Sequence, residues 1–221
     1  MMTDTHNKKA QPMRVAQRFW DGSPLRRGRT ATGLLIAALS LGLTGCISIG
    51  AEPPPSLLTL TPTTLSPAGA GPSGTMSGAI MVMELEAPAK LEVQRVPVQI
   101  DPTSVAYLED AFWVEKPARL FRRLLGETIR ARSGRIVIDN DDVVAPPSDI
   151  VRGTLSEFGY DVPSQSVIVR FDAVRGGTGD RVQTRRFESI VPGVPAEAAP
   201  VGAAINQAAN EIAVQVADWV G

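Results

Sequence analysis

The chain has almost no histidine and almost no thiol. His6 and Cys46 are the only residues of their kinds in 221, and beyond Cys46 the only lysines are Lys90 and Lys116. From residue 47 onward this excludes Ser-His-Asp and Cys-His catalysis, zinc sites built on His or Cys, and disulfides within one chain. A binding or structural role, with no catalytic residues, metal or cofactor, is therefore the expectation. Aromatic residues make up 5% of the chain. No basic patch is interleaved with them, so nucleic acid is not expected as a partner. There is no internal repeat, and the length suits one domain.

Charge is unevenly spread. Residues 1–45 carry seven basic side chains against Asp4 and Asp21, which leaves 15 basic and 21 acidic side chains for the rest. The basic flank ends in Arg26-Arg27-Gly28-Arg29 and runs into an uncharged apolar stretch, residues 31–42. That stretch has the length of a signal-peptide core and is short for a bilayer span. It closes on Leu43-Thr44-Gly45-Cys46, a small-residue tetrapeptide that resembles the lipobox of bacterial lipoproteins. The resemblance implies that the Cys46 sulfur is acylated, with palmitate among the acyl groups, and that the chain is cut before it. Residues 1–45 would then be a lipoprotein signal peptide. A permanent transmembrane anchor is the competing expectation, since no charge falls between Arg29 and Glu52. Gly33, Ser40, Gly42 and Gly45 dilute the stretch and weigh against it. The long leader also fits a translation start at Met13. Arg26-Arg27 has the look of a twin-arginine signal, but the residues after it fit that pattern poorly. Ile47 comes after the cysteine where an Asp would mark inner-membrane retention, so the outer membrane is the expected destination.

Residues 46–78 form a Pro-, Gly- and Ser-rich linker with a short strand at residues 57–60. Such composition buries too little to order itself. Fully extended, the ten or so residues from Cys46 to Ser56 would span about 30 Å. Residues 79–221 read as the folded domain. Strands are expected at 79–83 and at 92–100, where Val93, Val96, Val98 and Ile100 alternate and Pro97 marks an edge or bulge. Residues 107–113 lead into a helix that starts at Pro117 and ends at Gly134. Leu120, Phe121, Leu124, Leu125, Thr128 and Ile129 form its apolar face, with Arg122, Arg123, Glu127 and Arg130 off it. Next come a strand at 135–139, a loop to Pro147, strands at 150–160 and 166–174, and a hairpin through Gly176–Gly179 into 181–191. Val201, Ile205, Ala208, Ile212, Val216 and Trp219 then mark an Ala-rich closing helix. The fold class expected is α+β, a largely antiparallel sheet packed by two helices in a single domain.

The residues from Cys46 to the last, taken in order, resemble the ABC-type transport auxiliary lipoprotein family, which includes the outer-membrane lipoprotein of the paraquat-inducible system. The matching features are the lipobox and Leu57-Leu58-Thr59-Leu60, then Ala87-Pro88, Leu91, Arg95-Val96-Pro97-Val98 and Tyr107-Leu108. Ala111, Trp113, Pro117, Leu120 and the ending Ala217-Asp218-Trp219-Val220 complete the set. Leu58 departs from the family, which has a more aromatic start there. The resemblance implies a periplasmic accessory of a transporter with three other parts: a permease, an ATPase and a substrate-binding protein of the mammalian-cell-entry (MCE) type. Such systems look like movers of lipid between membranes. The lipoprotein would dock their periplasmic conduit at the outer membrane, singly or as a ring of copies. An envelope-structural lipoprotein tied to no transporter is the alternative, and a carboxylate-only hydrolase ranks last.

Within the domain, Tyr107 and Trp113 are candidates for partner docking, against the plainer expectation that they pack the helix entry on the sheet. Asp139-Asn140-Asp141-Asp142 begins like a calcium loop, but Val144 and Ile150 stand where a Gly and a Glu are needed, so a solvated turn is expected. Gly176-Gly177-Thr178-Gly179 lacks the Lys and helix of a phosphate cradle. Arg122-Arg123 and Arg185-Arg186 are expected on solvated faces or in surface ion pairs rather than on lipid headgroups.

Overall fold

A computed structural model of the chain describes residues 56–69, 71–139, 147, 149–177 and 181–221. In order these form strands β1 (Ile80–Val82), β2 (Arg95–Asp101) and β3 (Ser104–Phe112), then helix α1 (Pro117–Ser133). Strands β4 (Val137–Ile138), β5 (Asp149–Asp161), β6 (Ser166–Gly176) and β7 (Gln183–Pro192) and helix α2 (Ala198–Val220) complete the chain. All seven strands join one mixed, mostly antiparallel sheet packed by the two helices, which is the α+β single domain expected.

The long strand β5 organises the sheet. One edge carries β6 antiparallel along its whole length, and β7 pairs antiparallel beyond β6. The other edge is shared by shorter parallel partners. β1 takes Asp149–Val151, Glu86 bridges Thr154, and β2 takes Tyr160 and Asp161. β4 lies outside β1 and β3 outside β2. Gly159 lets two backbones meet, since a Cβ there would stand 2.3 Å from the Pro97 carbonyl oxygen.

Period-2 burial on β6 puts Val167, Val169, Phe171 and Ala173 under the helices. The α1 stripe from Leu120 to Ile129 is buried as its spacing requires, and Gly134 ends the helix in the left-handed conformation at φ 64°. On α2, Val201, Ile205, Ala208, Ile212 and Val216 are fully buried. Trp219 lies partly exposed, its ring edge-on to Phe187 at 5.7 Å. Phe158 on β5 meets Trp113 at 5.4 Å and Phe121 at 6.3 Å, and Phe121 continues the cluster to Phe171 at 5.4 Å.

Three expectations need correction. Residues 107–113 are not merely a lead into the helix, because β3 begins at Ser104. A bulge hides it: Arg95 and Pro97 of β2 pair with Phe112 and Tyr107, and Asp110 takes φ 53°. The buried residues Leu108 and Ala111 are therefore three apart, which breaks the alternation that marks a strand. On β2, Val96 and Val98 are buried, but Val93 lies before the strand and Ile100 sits at a second register shift, each about two-fifths exposed. Arg122 is also not on the solvent side of α1. It is 8% exposed, and its Nε donates to the Val82 carbonyl at 3.0 Å.

Where β1 and β5 begin and β6 and α2 end, Asp149 holds two guanidinium groups. Arg175 gives Nε and Nη2 at 3.0 and 2.8 Å, and Arg135 gives Nη1 at 2.9 Å. The same arginines donate to the Trp219 and Val220 carbonyls, which a helix C-terminus leaves without intrahelical partners. Burial pushes the Asp149 pKa up, but Arg175 and Arg135 outweigh it and hold the group below the ordinary carboxylate range. A depressed carboxylate stabilises the fold above its unfolded pKa, and that stability is lost as pH falls through the folded value. Asp149→Asn is expected to cost about 2 kcal/mol at neutral pH. It should also flatten the pH dependence of the urea midpoint below about pH 4, the unfolded value of an aspartate. Equal losses at pH 3 and pH 7 would contradict this account.

Candidate functional site

Leu43, Thr44, Gly45 and Cys46, the expected lipobox and lipidation site, lie outside the described residues. The described residues begin at Ser56. Residues 58–66 form a strap laid across the helices rather than a free linker. Leu58 makes one parallel bridge to Trp113: its amide donates to the Phe112 carbonyl at 2.7 Å, and its carbonyl accepts from Val114 at 3.0 Å. This is a single rung where a short strand over residues 57–60 was expected. Gly202 makes the seat, since a Cβ there would stand 2.6 Å from Leu58 Cδ2.

Beyond Leu58, two asparagines one turn apart on α2 replace a neighbouring strand. Asn210 is 5% exposed. Its Oδ1 accepts from the Thr63 amide at 2.8 Å, and its Nδ2 donates to the Thr61 carbonyl at 3.0 Å. Asn206 Oδ1 accepts from the Thr61 amide at 2.8 Å. Pro62 lies between, where no N–H is needed. The strap then reaches α1, where the Ser66 amide donates to Glu127 Oε1 at 2.8 Å. Asn206 and Asn210 were not singled out in the sequence. Their signal is two amides at i and i+4, with Asn210 falling among the alanine and aliphatic residues of the buried face, because a buried amide needs partners.

The second surface is the sheet face turned away from the helices. Ion pairs cross it in rows. Lys90 Nζ meets Glu157 Oε2 at 2.6 Å, Glu157 stands beside Arg170 in register, and Arg170 Nε meets Glu188 Oε2 at 2.6 Å. In the next row Ser156 Oγ donates to Asp172 at 3.0 Å, and Arg186 Nε meets the same carboxylate at 2.6 Å. Arg186 holds the Asp172 carboxyl below its usual range, with Ser156 adding to it. At one end of this face is a cavity of about 380 Å³ lined by Pro97, Gln99, Asp101, Asp161, Ile168 and Arg170, among others. Of its acids, Glu157 is paired with Lys90, and the other two are engaged in turns. Asp101 accepts from the Thr103 amide and hydroxyl, each at 2.8 Å, and the amide bond leads in lowering its pKa. Asp161 accepts from the Ser164 amide at 3.0 Å.

The remaining candidates from the sequence have other surroundings. Trp113 is 1% exposed and packs on Phe158, so its side chain presents no docking surface. Tyr107 is half-buried, with Arg95 over its ring at 5.5 Å. Arg123 pairs with Glu115 at 2.6 Å, and Arg185 lies over the Phe187 ring at 5.0 Å. Asp139 meets Arg130 at 3.4 Å, whereas residues 140–142 lie outside the described residues. No group of three or more His, Cys, Asp or Glu able to hold a metal occurs among the described residues.

Residues 59–217 match the sequence model of a family described as the ABC-type transport auxiliary lipoprotein component. No curated protein is significantly similar in sequence. Among solved structures, one described only as an uncharacterized protein superposes with a TM-score of 0.59 at 12% identity, over 75% of this chain and 100% of that one. Protein XCC0632 from Xanthomonas campestris, of the family-model DUF330, gives a TM-score of 0.58 at 18% identity, over 74% of this chain and 94% of that one. At such identities the likeness is one of fold.

Asn210→Leu fills the same space but leaves the Thr61 carbonyl and Thr63 amide without these partners. A cost of about 1–3 kcal/mol is expected. Amide hydrogen exchange at Thr61 and Thr63 should quicken, while β6 keeps its protection. Unchanged exchange in the strap would show that Asn210 does not hold it.

Proposed function

We propose a role that starts from one fact: the chain belongs to the family of ABC-type transport auxiliary lipoprotein components. Membership gives it an accessory part in transport and a place at a membrane of the cell envelope. Beyond that, we read Cys46 as the acylated residue, the outer membrane as its support, and an MCE-type system as the transporter served. In this reading the protein performs no reaction. It positions the substrate-binding part of the apparatus, whose permease and ATPase lie in the other membrane, so that lipid passes between the two.

The observation that carries the reading is the strap. The segment that leads directly from Cys46 is fastened to the body at Leu58, Thr61, Thr63 and Ser66 and spans both helices. Leu58 lies twelve positions beyond Cys46, a length of chain that reaches about 40 Å when extended. An acyl anchor at one end of such a tether holds the domain near a bilayer yet clear of it. Among the described residues no helix is long and apolar enough to cross a membrane. Acyl chains supply about 0.8 kcal/mol per buried CH₂, so several together give stable attachment.

The chemistry of the surface supports binding over catalysis. Among the described residues, where a carboxyl pKa departs clearly from its ordinary value, at Asp101, Asp149, Asp172 and Glu211, the shift is downward. A carboxyl serving as general acid needs the opposite shift.

In cells fed labelled palmitate, the wild-type chain should take up label and sediment with the outer membrane. Cys46→Ala should lose the label and the membrane association. Wild-type protein purified from solubilised envelopes should bring with it a permease, an ATPase and an MCE-type protein. Label retained by the alanine variant would refute the attachment site. Recovery of the labelled wild type without those partners would refute the transporter assignment and favour an envelope-structural role.

A further inference from the structure

Strand β7 pairs with β6 along one edge, and among the described residues nothing pairs with the other. Such an edge offers a row of backbone donors and acceptors to any extended chain, and proteins commonly blunt it with charge. The charges here have a particular order. Around Phe187 the sequence runs Thr184-Arg185-Arg186-Phe187-Glu188-Ser189-Ile190. Phe187 and Ser189 are buried beneath α2, so Arg186, Glu188 and Ile190 share the helix-free face. There the ion-pair rows reach the edge with opposite signs, one ending in Glu188 after Arg170 and the other in Arg186 after Asp172.

A second β7 laid antiparallel on this edge, with a two-fold axis at Phe187, puts Arg186 opposite the partner's Glu188 and Glu188 opposite the partner's Arg186. Each row then continues with alternating sign, from Asp172 and Arg186 to the partner's Glu188 and the partner's Arg170. Other registers are penalised. A slip of two residues sets either Arg186 against the partner's Arg186 or Glu188 against the partner's Glu188, and a slip of one sends the charges to the opposite face. In the matched register Ile190, 51% exposed, stands opposite the partner's Thr184. Pro192, with no N–H to give, ends the ladder.

We propose that β7 is a homodimer edge, on which two copies pair antiparallel about Phe187 and their sheets become continuous. A two-fold contact of this kind uses the same surface on both copies and closes at two. The inference rests on the order of charges on β7 and not on the transport role.

The test is the mass of the full chain in detergent micelles, by sedimentation equilibrium at low salt. Wild type should be a dimer. Arg186→Glu and Glu188→Arg each make both cross-edge pairs repulsive and should weaken association on the order of a hundredfold. Mixing the two variants restores opposite signs and should restore a dimer, which no general damage to the fold would do. Independently, the double variant T184C/I190C should form a disulfide-linked dimer on mild oxidation. A monomeric wild type at the highest soluble concentration, or a dimer insensitive to either reversal, would overturn the proposal. So would a mixture that stays monomeric, or failure of the cysteine pair to cross-link.

Discussion

Phe158 sits on β5 against Trp113 from the end of β3 and Phe121 from α1, and much else depends on that contact. A sheet can bury only one face against two helices, and the seal is made by a few large side chains. Here the aromatic cluster lies where β5 has left β1 behind and is about to meet β2. It therefore fixes how two separate parallel partners share one edge. Trp113 extends the effect outward, because the residue that fills the core is also the bridge partner of Leu58. The packing of the domain and the fastening of its N-terminal segment are one arrangement.

Regular pattern made the fold legible where it was uninterrupted. The α1 stripe between Pro117 and Gly134, the alternation from Val167 to Ala173 and the apolar spacing of α2 each came from local sequence, because one residue in every turn or every second position faces the same core. β3 escaped notice because its bulge absorbs residues and puts Leu108 and Ala111 out of phase. Arg122 escaped for another reason. A long side chain on the border of an apolar face can snorkel inward as well as outward, and its target, the Val82 carbonyl, is distant in sequence.

The two surfaces were legible to different degrees. Cys46 is conspicuous as part of a tetrapeptide, whereas the strap depends on side-chain amides from a helix about 150 residues later, which composition does not reveal. Its Pro and Thr content suggests loose chain, yet backbone groups left open by poor strand propensity are met by Asn206 and Asn210. The charges on the helix-free face are visible as residues, but their signs acquire meaning only from the register of β5, β6 and β7. Salt bridges on an exposed face contribute little stability. Their value lies in which neighbour they admit.

The route of the strap also sets how the domain would respond to mechanical load. A tug from the N-terminal side meets the rung at Leu58 before any tension reaches the grip of Asn210. Peeling the segment from that end would break its attachments in succession rather than together, and the first to go adjoins Trp113 and the aromatic interior. Traction from that side would thus be felt in the core early, while the far half of the strap still held the helices.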